Sequence, residues 1–408
     1  MAAMSSFLIA AQEILEEIRT IRRDLHRHPE TGGSEFRTAG VVADYLKSLG
    51  LPVQVGVGGT GVVAILEGAE AGPAVALRAD MDALPLADGK RVPYASNHSG
   101  ITHACGHDAH MAMLLGAARL LGSVRDQLKG SVRFLFQPAE ERPPGGALGM
   151  IRDGALDNPP VSAIFALHLN PDVDEGHALA TPGYATVSSA GVVLEMIGRG
   201  GHVAFPHRAV DPVGMAASLV MEVQHLISRQ TDPLEPVILA FGAIEGGTAN
   251  NIIPDRVRLR GTLRTLRPEE RDRLGERLRR VAEGVAAVHG GDFRLELTPE
   301  YPSVYNDPQL TDQWAGAARR VLGPDAVIRS PRPFMGGEDM AYFHQRVPGV
   351  LWFLGTRNPE SGFDHPLHSP LFDFNEAILA HGAAIHAHCV AELLAPDLPG
   401  TRGLETSR

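Results

Sequence analysis

The sequence predicts an α/β fold, a mixed sheet covered by helices and interrupted by an inserted α+β domain, and three observations point to it. Apolar runs of strand length at 53–57, 62–66, 74–79, 132–136 and 163–167 precede residue 186, and helical stretches at 106–122 and 146–154 separate the later ones. From residue 186 the order becomes strand (187–197), helix (211–228), strand (237–244), strand (256–263), helix (268–288) and strand (293–298). This β-α-β-β-α-β series is of the ferredoxin-like kind, which can fold as its own two-layer unit. After residue 300 the α/β pattern returns, with a strand at 350–354 and a closing helix at 375–394. The 408 residues exceed what one core usually organises, so segments 1–185 and 300–408 are read as one domain around an insertion at 186–299.

Within the first segment, Ile14, Ile18, Ile21 and Leu25 recur every three or four residues, which predicts an amphipathic helix over 5–30. A second helix over 36–49 stops at Gly50, a residue suited to the left-handed conformation at a helix end. The run Gly56-Val-Gly-Gly-Thr-Gly61 follows a strand and matches the G-x-G-x-x-G dinucleotide pattern. That pattern requires a helix next, its N-terminus facing the pyrophosphate. Because 62–66 reads as another strand, residues 56–61 predict a hairpin turn. The tail after Ala395 predicts a frayed end.

Asp and Glu number 48 against 37 Lys and Arg, a formal net charge of −11 that offers no electrostatic footprint for nucleic acid or an anionic membrane surface. The N-terminal stretch has one short apolar run, no basic region before it and acidic residues after it, which predicts neither a signal peptide nor a membrane span. Cys105 and Cys389 can form at most one disulfide, which suits a reducing compartment, so the expected location is cytoplasmic. The lysines are Lys47, Lys90 and Lys129, which leaves few candidates for Schiff-base chemistry.

Chemistry-bearing residues gather at the predicted strand ends. The 74–79 strand runs into Asp80-Met-Asp82, two carboxylates at the sheet edge where α/β proteins build their sites; a solvated acidic loop would read the same way. In His103-Ala-Cys105-Gly-His107-Asp108-Ala-His110, a thiol and an imidazole lie two residues apart with Gly106 to bend the chain between them. That donor set favours zinc or a similar transition metal. The 132–136 strand leads into Gln137-Pro-Ala-Glu140-Glu141, where neighbouring side chains diverge, so that one glutamate can ligate a metal while the other carries protons. The 163–167 strand is expected to end in His168. Phe363-Asp-His365-Pro-Leu-His368 adds two late histidines, between which spacing alone does not choose.

These residues occur in order with Arg23-Asp-Leu-His-Arg-His-Pro-Glu30, Gly200-Gly-His202, Asp211-Pro212, Asn250-Asn-Ile-Ile-Pro254, Gly336-Gly-Glu-Asp339 and Pro366-Leu-His-Ser-Pro370. Together they resemble the M20 metallopeptidase family, in particular its amidohydrolase branch of hippurate hydrolases, N-acyl-amino-acid amidohydrolases and auxin-conjugate hydrolases. The resemblance runs nearly the whole chain. It implies Cys105, His107, Glu141, His168 and His368 as metal ligands, Glu140 as general base, and Asp80 and Asp82 close behind the ligands. The implied cofactor is a divalent transition metal, Zn, Mn, Co or Ni, two per subunit. In relatives the insertion serves as lid and dimer contact, so the resemblance implies a homodimer or homotetramer in which His202 reaches a substrate site across the dimer. Arg142, Val203 and Asn170 stand where relatives often have glycine, a small residue and an aromatic, departures that touch substrate preference.

The expected reaction is hydrolysis of the amide bond of a small N-acyl amino acid, acetyl or aroyl, to a carboxylic acid and a free amino acid. His202 would donate to the developing oxyanion. Asn251 and Arg264 are the candidates for the substrate carboxylate, since a guanidinium offers the bidentate geometry that a carboxylate prefers. An aminopeptidase or dipeptidase of the same superfamily is the alternative among enzymes, and it requires an acidic group to receive a free amine. A metal-holding binding protein without catalysis is the alternative outside them; that role does not require Glu140 beside Glu141.

Overall fold

A computed structural model describes residues 6–396; the expected fraying of the C-terminal tail concerns 397–408, which lie outside the described residues. The chain forms two compact units. One comprises the residues before Thr186 together with Tyr305–Arg332 and the residues from Asp339 onward, and the other comprises Thr186–Val304 and Pro333–Glu338.

In the first unit the N-terminal periodicity produces two helices, α1 (Ser6–Glu13) and α2 (Leu15–Arg27), instead of the single one expected. Ile14 leaves the helical region between them at φ −98° and ψ 6°. Helix α3 (Phe36–Ser48) stops as predicted, with Gly50 at φ 74°. Strands β1 (Val53–Val57) and β2 (Gly61–Glu67) pair antiparallel around the glycine turn, so residues 56–61 close a hairpin. There follow β3 (Glu70–Asp80), α4 (His107–Gly122), β4 (Lys129–Gln137), α5 (Ala147–Arg152), β5 (Val161–Asp174) and β6 (Ala178–Ala180). After the second unit come α6 (Pro308–Leu322), β7 (Val327–Arg329), α7 (Met340–His344), β8 (Gly349–Arg357) and α8 (Ile378–Leu394). Helix α6 was not among the expected elements, although its start signal is local: Asp307 caps the N–H groups of Gln309 and Leu310, and Pro308 opens the first turn.

The eight strands lie in the order β1-β2-β4-β3-β5-β8-β6-β7. The central four, β4, β3, β5 and β8, are parallel, which places their carboxyl ends side by side. They are buried over continuous runs, the pattern expected of strands covered on both faces. One correction concerns β5, which does not end at His168. Its ladder with β3 stops at Arg78 and Ala166, but β8 continues to pair with it through Leu169 and Asn170. His168 thus stands level with Asp80 at the end of β3, past the last paired residues of that ladder and on a strand that β8 prolongs.

Helix α4 is buried almost all round, packed on the sheet beneath α2 and α8. Glycine permits that approach: a Cβ on Gly116 would stand 3.0 Å from the Cβ of Ala383, and one on Gly382 would overlap the sulfur of Met113. Trp314, Trp352, Phe134, Phe136 and Phe165 are fully buried here, each contributing roughly 1.5–3 kcal/mol on burial. Among the described residues no helix is long and apolar enough to cross a membrane.

The second unit is a four-stranded antiparallel sheet in the order Val237–Glu245, Arg256–Thr265, Ser188–Ile197, Asp292–Pro299, with helices Pro212–Gln230 and Pro268–His289. Leu194, Met196, Leu219, Val223, Leu259, Leu278 and their neighbours form its own core. Asp211 caps the first helix, accepting from the N–H of Val213 at 2.9 Å, and Gly290 ends the second at φ 73°. Residues 300–304 belong to this unit because Ser189 donates its N–H to Tyr301 and Val304 donates its own to the hydroxyl of Thr186; a bridge between Thr186 and Phe334 adds 333–338.

Candidate metal centre

Asp80 closes β3, and the chain turns to Asp82. The Asp82 carboxylate accepts the backbone N–H of Glu140 on one oxygen and of Glu141 on the other, both at 3.0 Å. Asp82 therefore clamps the turn after β4 to the turn after β3. From the other side Glu35 accepts the N–H of Ala139 at 2.8 Å and the hydroxyl of Thr60 at 2.5 Å. Ala139 between these grips has φ 54°, left-handed backbone that non-glycine residues seldom adopt and that surrounding bonds must impose. The turn brings Glu140 and Glu141 within 4.8 Å, ligand atom to ligand atom, of each other and of His107.

Cys105 and His107 are set by Gly106, which has φ 88° and precedes the first turn of α4; a Cβ there would stand 2.8 Å from Leu169 Cδ1. His107 Nδ1 donates to the carbonyl of Asp82 at 2.8 Å. Cys105 Sγ lies 3.4 Å from His168 Nε2, and His168 Nδ1 bonds the carbonyl of Leu169 at 2.7 Å. His368 arrives from the long loop after β8, also left-handed at φ 62°. Its N–H donates to Ala104 at 2.8 Å, and its Nε2 stands 3.2 Å from Glu141 Oε1. Among the donor groups whose atoms lie within 4.8 Å of one another are Cys105–His107–His168 and Cys105–Glu141–His368, which share the cysteine, and Asp80–His107–His110 beside them.

The donors fit a cation. His107 Nε2 is buried without a hydrogen-bond partner, 3.7 Å from Asp80 Oδ2 and 3.9 Å from Glu141 Oε1. Burial opposes its charge, but Asp80, Asp82 and Glu141 outweigh that and push its pKa up to about 10. Burial, then Glu141, Glu140 and Asp80, hold the Cys105 thiol well above its usual range, so a thiolate here requires positive charge beside it. Although burial raises Glu141, His368 and His107 bring its carboxyl below the ordinary value.

Asp80 stands within the cluster, and its pKa, raised by burial, is brought well down by His107, His110 and Arg78. Arg78 Nη1 donates to Asp80 at 2.9 Å, while its Nε reaches Gln137 and its Nη2 reaches Asp339. His110 bonds Asp80 through Nδ1 at 2.6 Å and accepts the N–H of Leu169 on Nε2 at 3.0 Å. With both ring nitrogens engaged, and burial pushing its pKa down to about 4, His110 orients Asp80 and is not a free ligand. Sequence reasoning assigned no role to His110 or Arg78. The signal for His110 was present, since it lies one turn after His107 on a single helix.

His202, Asn251 and Arg264 belong to the second unit. His202 is exposed on a two-residue strand paired with Ile252–Ile253, and its Nδ1 accepts the N–H of Ala204 at 3.1 Å. The carbonyl of Asn251 accepts the N–H of Val203 at 3.2 Å, which keeps these two residues on one ribbon. Arg264 donates to the carbonyl of Met335 at 2.7 Å. Among the departures, Arg142 donates to the carbonyl of Gly32 at 2.8 Å and Asn170 accepts the N–H of Asp172 at 2.8 Å.

Comparison with known proteins gives the family. The profile of Peptidase family M20/M25/M40 matches residues 76–392. The chain is 40% identical over 374 residues to a putative amidohydrolase, YhaA, of Bacillus subtilis, covering 91% of this chain and 93% of that one. It is 39% identical over 359 residues to an N-acetyl-L-cysteine deacetylase of the same organism, covering 88% and 84%. The crystal structure of the Bacillus subtilis YXEP protein, described as a dinuclear metal binding peptidase from the M20 family, superposes with a TM-score of 0.81 at 32% identity, covering 93% of this chain and 98% of that one. The chain belongs to peptidase family M20/M25/M40 and is a metal-dependent hydrolase.

Proposed function

We propose that this chain hydrolyses the amide bond of small N-acyl amino acids, with two cations held by Cys105, His107, Glu141, His168 and His368 and with Glu140 carrying the proton. The observation that carries the reading is the buried, unpartnered His107 Nε2 among ligand triads that share Cys105. Two triads with one common donor suit two neighbouring divalent ions, in keeping with the dinuclear description of the YXEP protein. The deacetylase relative supports an N-acyl substrate.

Bound here, a divalent transition metal supplies Lewis acidity toward a carbonyl and a lowered pKa for water. Glu140, buried and fixed at its backbone by Asp82, accepts a proton from water and returns it to the departing amine nitrogen, while Glu141 serves as ligand. Because His202 Nδ1 accepts from Ala204, the neutral ring keeps its proton on Nε2, the form that donates to an oxyanion. We assign that donor to a second copy of the chain. Arg264 spends one nitrogen on Met335 and keeps its remaining N–H groups for the substrate carboxylate, with Asn251 as the second candidate. Cys105 and Cys389 are both free and buried, which supports a reducing, cytoplasmic setting.

The test is a panel of N-acetyl and N-benzoyl amino acids beside free dipeptides, assayed after chelation and after restoring Zn, Mn, Co or Ni. Hydrolysis of the acylated substrates that vanishes on chelation and returns with metal is expected, and Glu140→Gln should bind metal while losing at least 100-fold in kcat. Turnover confined to free dipeptides, or a Glu140→Gln chain with near-normal kcat, would overturn the reading.

A further inference from the structure

We infer that Arg22 is a positioning residue for the metal centre: a buried ion network built on it sets the separation between the start of α4, which carries His107, and the loop that carries His368. The inference rests on the functional reading above. Arg22, on α2, is 1% exposed. Its Nη2 and Nη1 donate to Asp373 Oδ1 and Glu376 Oε1, each at 3.3 Å, while its Nε forms an ion pair with Asp108 Oδ2 at 2.7 Å that is not aligned as a hydrogen bond. The guanidinium carbon stands over the rings of Tyr94 and Phe374, 4.8 and 4.6 Å from their centroids. Asp108 directly follows His107 in the first turn of α4, whereas Asp373 and Glu376 follow His368 along the loop into α8. One planar cation therefore joins carboxylates from both ligand-bearing segments.

A second strand of the network runs parallel to the first. His26, one turn after Arg22, places Nδ1 2.7 Å from the same Asp108 oxygen and Nε2 3.3 Å from Asp88. Lys90 pairs with Asp88 at 3.0 Å, and between them the N–H of Gly89 donates to the carbonyl of Pro370 at 3.0 Å, two residues beyond His368.

Apolar packing would hold α2 against α4 as well or better, since replacing a buried ion pair by hydrophobic residues is often neutral or stabilising. What the guanidinium adds is direction toward Asp373 and Glu376 through its two terminal nitrogens, and a fixed distance to Asp108 through the ion pair at Nε. His368 needs both. Its backbone is left-handed and its side chain is 54% exposed, so little packing holds the ring in place near Glu141.

The test is competition between a chelator and the full chain for Zn2+, in wild type, Arg22→Lys and Asp373→Asn, with thermal unfolding of each metal-free chain measured alongside. Trp314→Phe, which loosens a buried contact on α6, is the control for general destabilisation. Arg22→Lys should bind Zn2+ about 10–100-fold more weakly and Asp373→Asn several-fold more weakly, the range seen when the groups that orient metal ligands are altered. Trp314→Phe should lower the unfolding temperature without weakening Zn2+. Saturating Zn2+ should restore much of kcat in the network variants. If both network variants bind Zn2+ as tightly as wild type, or no more weakly than Trp314→Phe at a matched loss of stability, the inference is overturned. If Arg22→Lys does not fold, Asp373→Asn, which keeps size and one acceptor, decides alone. A wild-type chain that binds no Zn2+ overturns the functional reading and this inference together; tight binding that no network variant alters overturns this inference only.

Discussion

His107 donates its Nδ1 proton to the carbonyl of Asp82 across 2.8 Å, and that one bond decides which ring nitrogen faces the cluster. The carbonyl can only accept, so in the neutral ring the lone pair lies on Nε2, the atom left without a partner. The same residue, Asp82, grips the turn bearing Glu140 and Glu141 with its carboxylate. Backbone and side chain of one aspartate thus orient three members of the site.

Metal uptake should release protons. In the metal-free chain His107 is pushed up to about 10 and Cys105 lies well above its ordinary range, so both are protonated at neutral pH and both must lose a proton to ligate. Zn2+ titrated calorimetrically at pH 7 in two buffers of different ionisation enthalpy should show about two protons released, and affinity should rise with pH up to about 10. Proton release indistinguishable from zero would contradict the assignment of these two ligands.

Gly106→Ala should damage both fold and site. Its φ of 88° disfavours any Cβ, and Leu169 stands in the way at 2.8 Å, so a loss of about 1–3 kcal/mol is expected with displacement of Cys105 and His107. Denaturant unfolding and Zn2+ competition measure the two effects; full stability with full affinity would show that the bend between the ligands is not needed.

Asp82→Asn keeps the shape but turns one acceptor into a donor facing a backbone N–H. An unmet buried donor costs about 1–3 kcal/mol, and the Glu140–Glu141 turn should loosen. We expect kcat to fall at least tenfold at saturating metal, with lowered protection of the amides of Glu140 and Glu141 in hydrogen exchange. Unchanged exchange at those two amides would argue that Glu35 alone holds the turn.

Acid should destabilise the metal-free chain through its buried histidines. His386, on α8 against Trp352, is pushed down to about 3 by burial and by His110, against an ordinary 6.5. The unfolded chain therefore binds the extra proton between those values, and stability falls as pH drops through that window, by up to about 1.4 kcal/mol per pH unit for this residue. Urea unfolding from pH 4.5 to 6.5 should show a shallower slope for His386→Phe than for wild type. Equal slopes would mean that His386 is not buried neutral.

The parts of the fold legible in the sequence are those whose signal is local. Val132–Phe136 and Ala163–Leu167 are buried strand because their neighbours in sequence are apolar, and the glycine run at 56–61 makes a hairpin because a strand follows it. The extent of β5 was not legible, because β8 supplies the partner that carries it past His168. Helix α6 is marked locally as well, by the Asp307–Pro308 pair that opens its first turn.

By itself, the sequence determined which residue types stand at the ends of the central strands and that Cys105 and His107 flank a glycine. Residue order and apolar period are properties of neighbouring positions, and they suffice for that. Only the tertiary structure decided how those groups are used. His110 and His107 share one turn of α4, yet both ring nitrogens of His110 are taken by Asp80 and Leu169, while His107 keeps one free. The ion pair between Arg22 and Glu376 spans 354 residues of chain and leaves no mark on local pattern. A buried donor or acceptor is defined by what remains once every neighbour has taken its share, and those neighbours come from distant segments that only folding brings together.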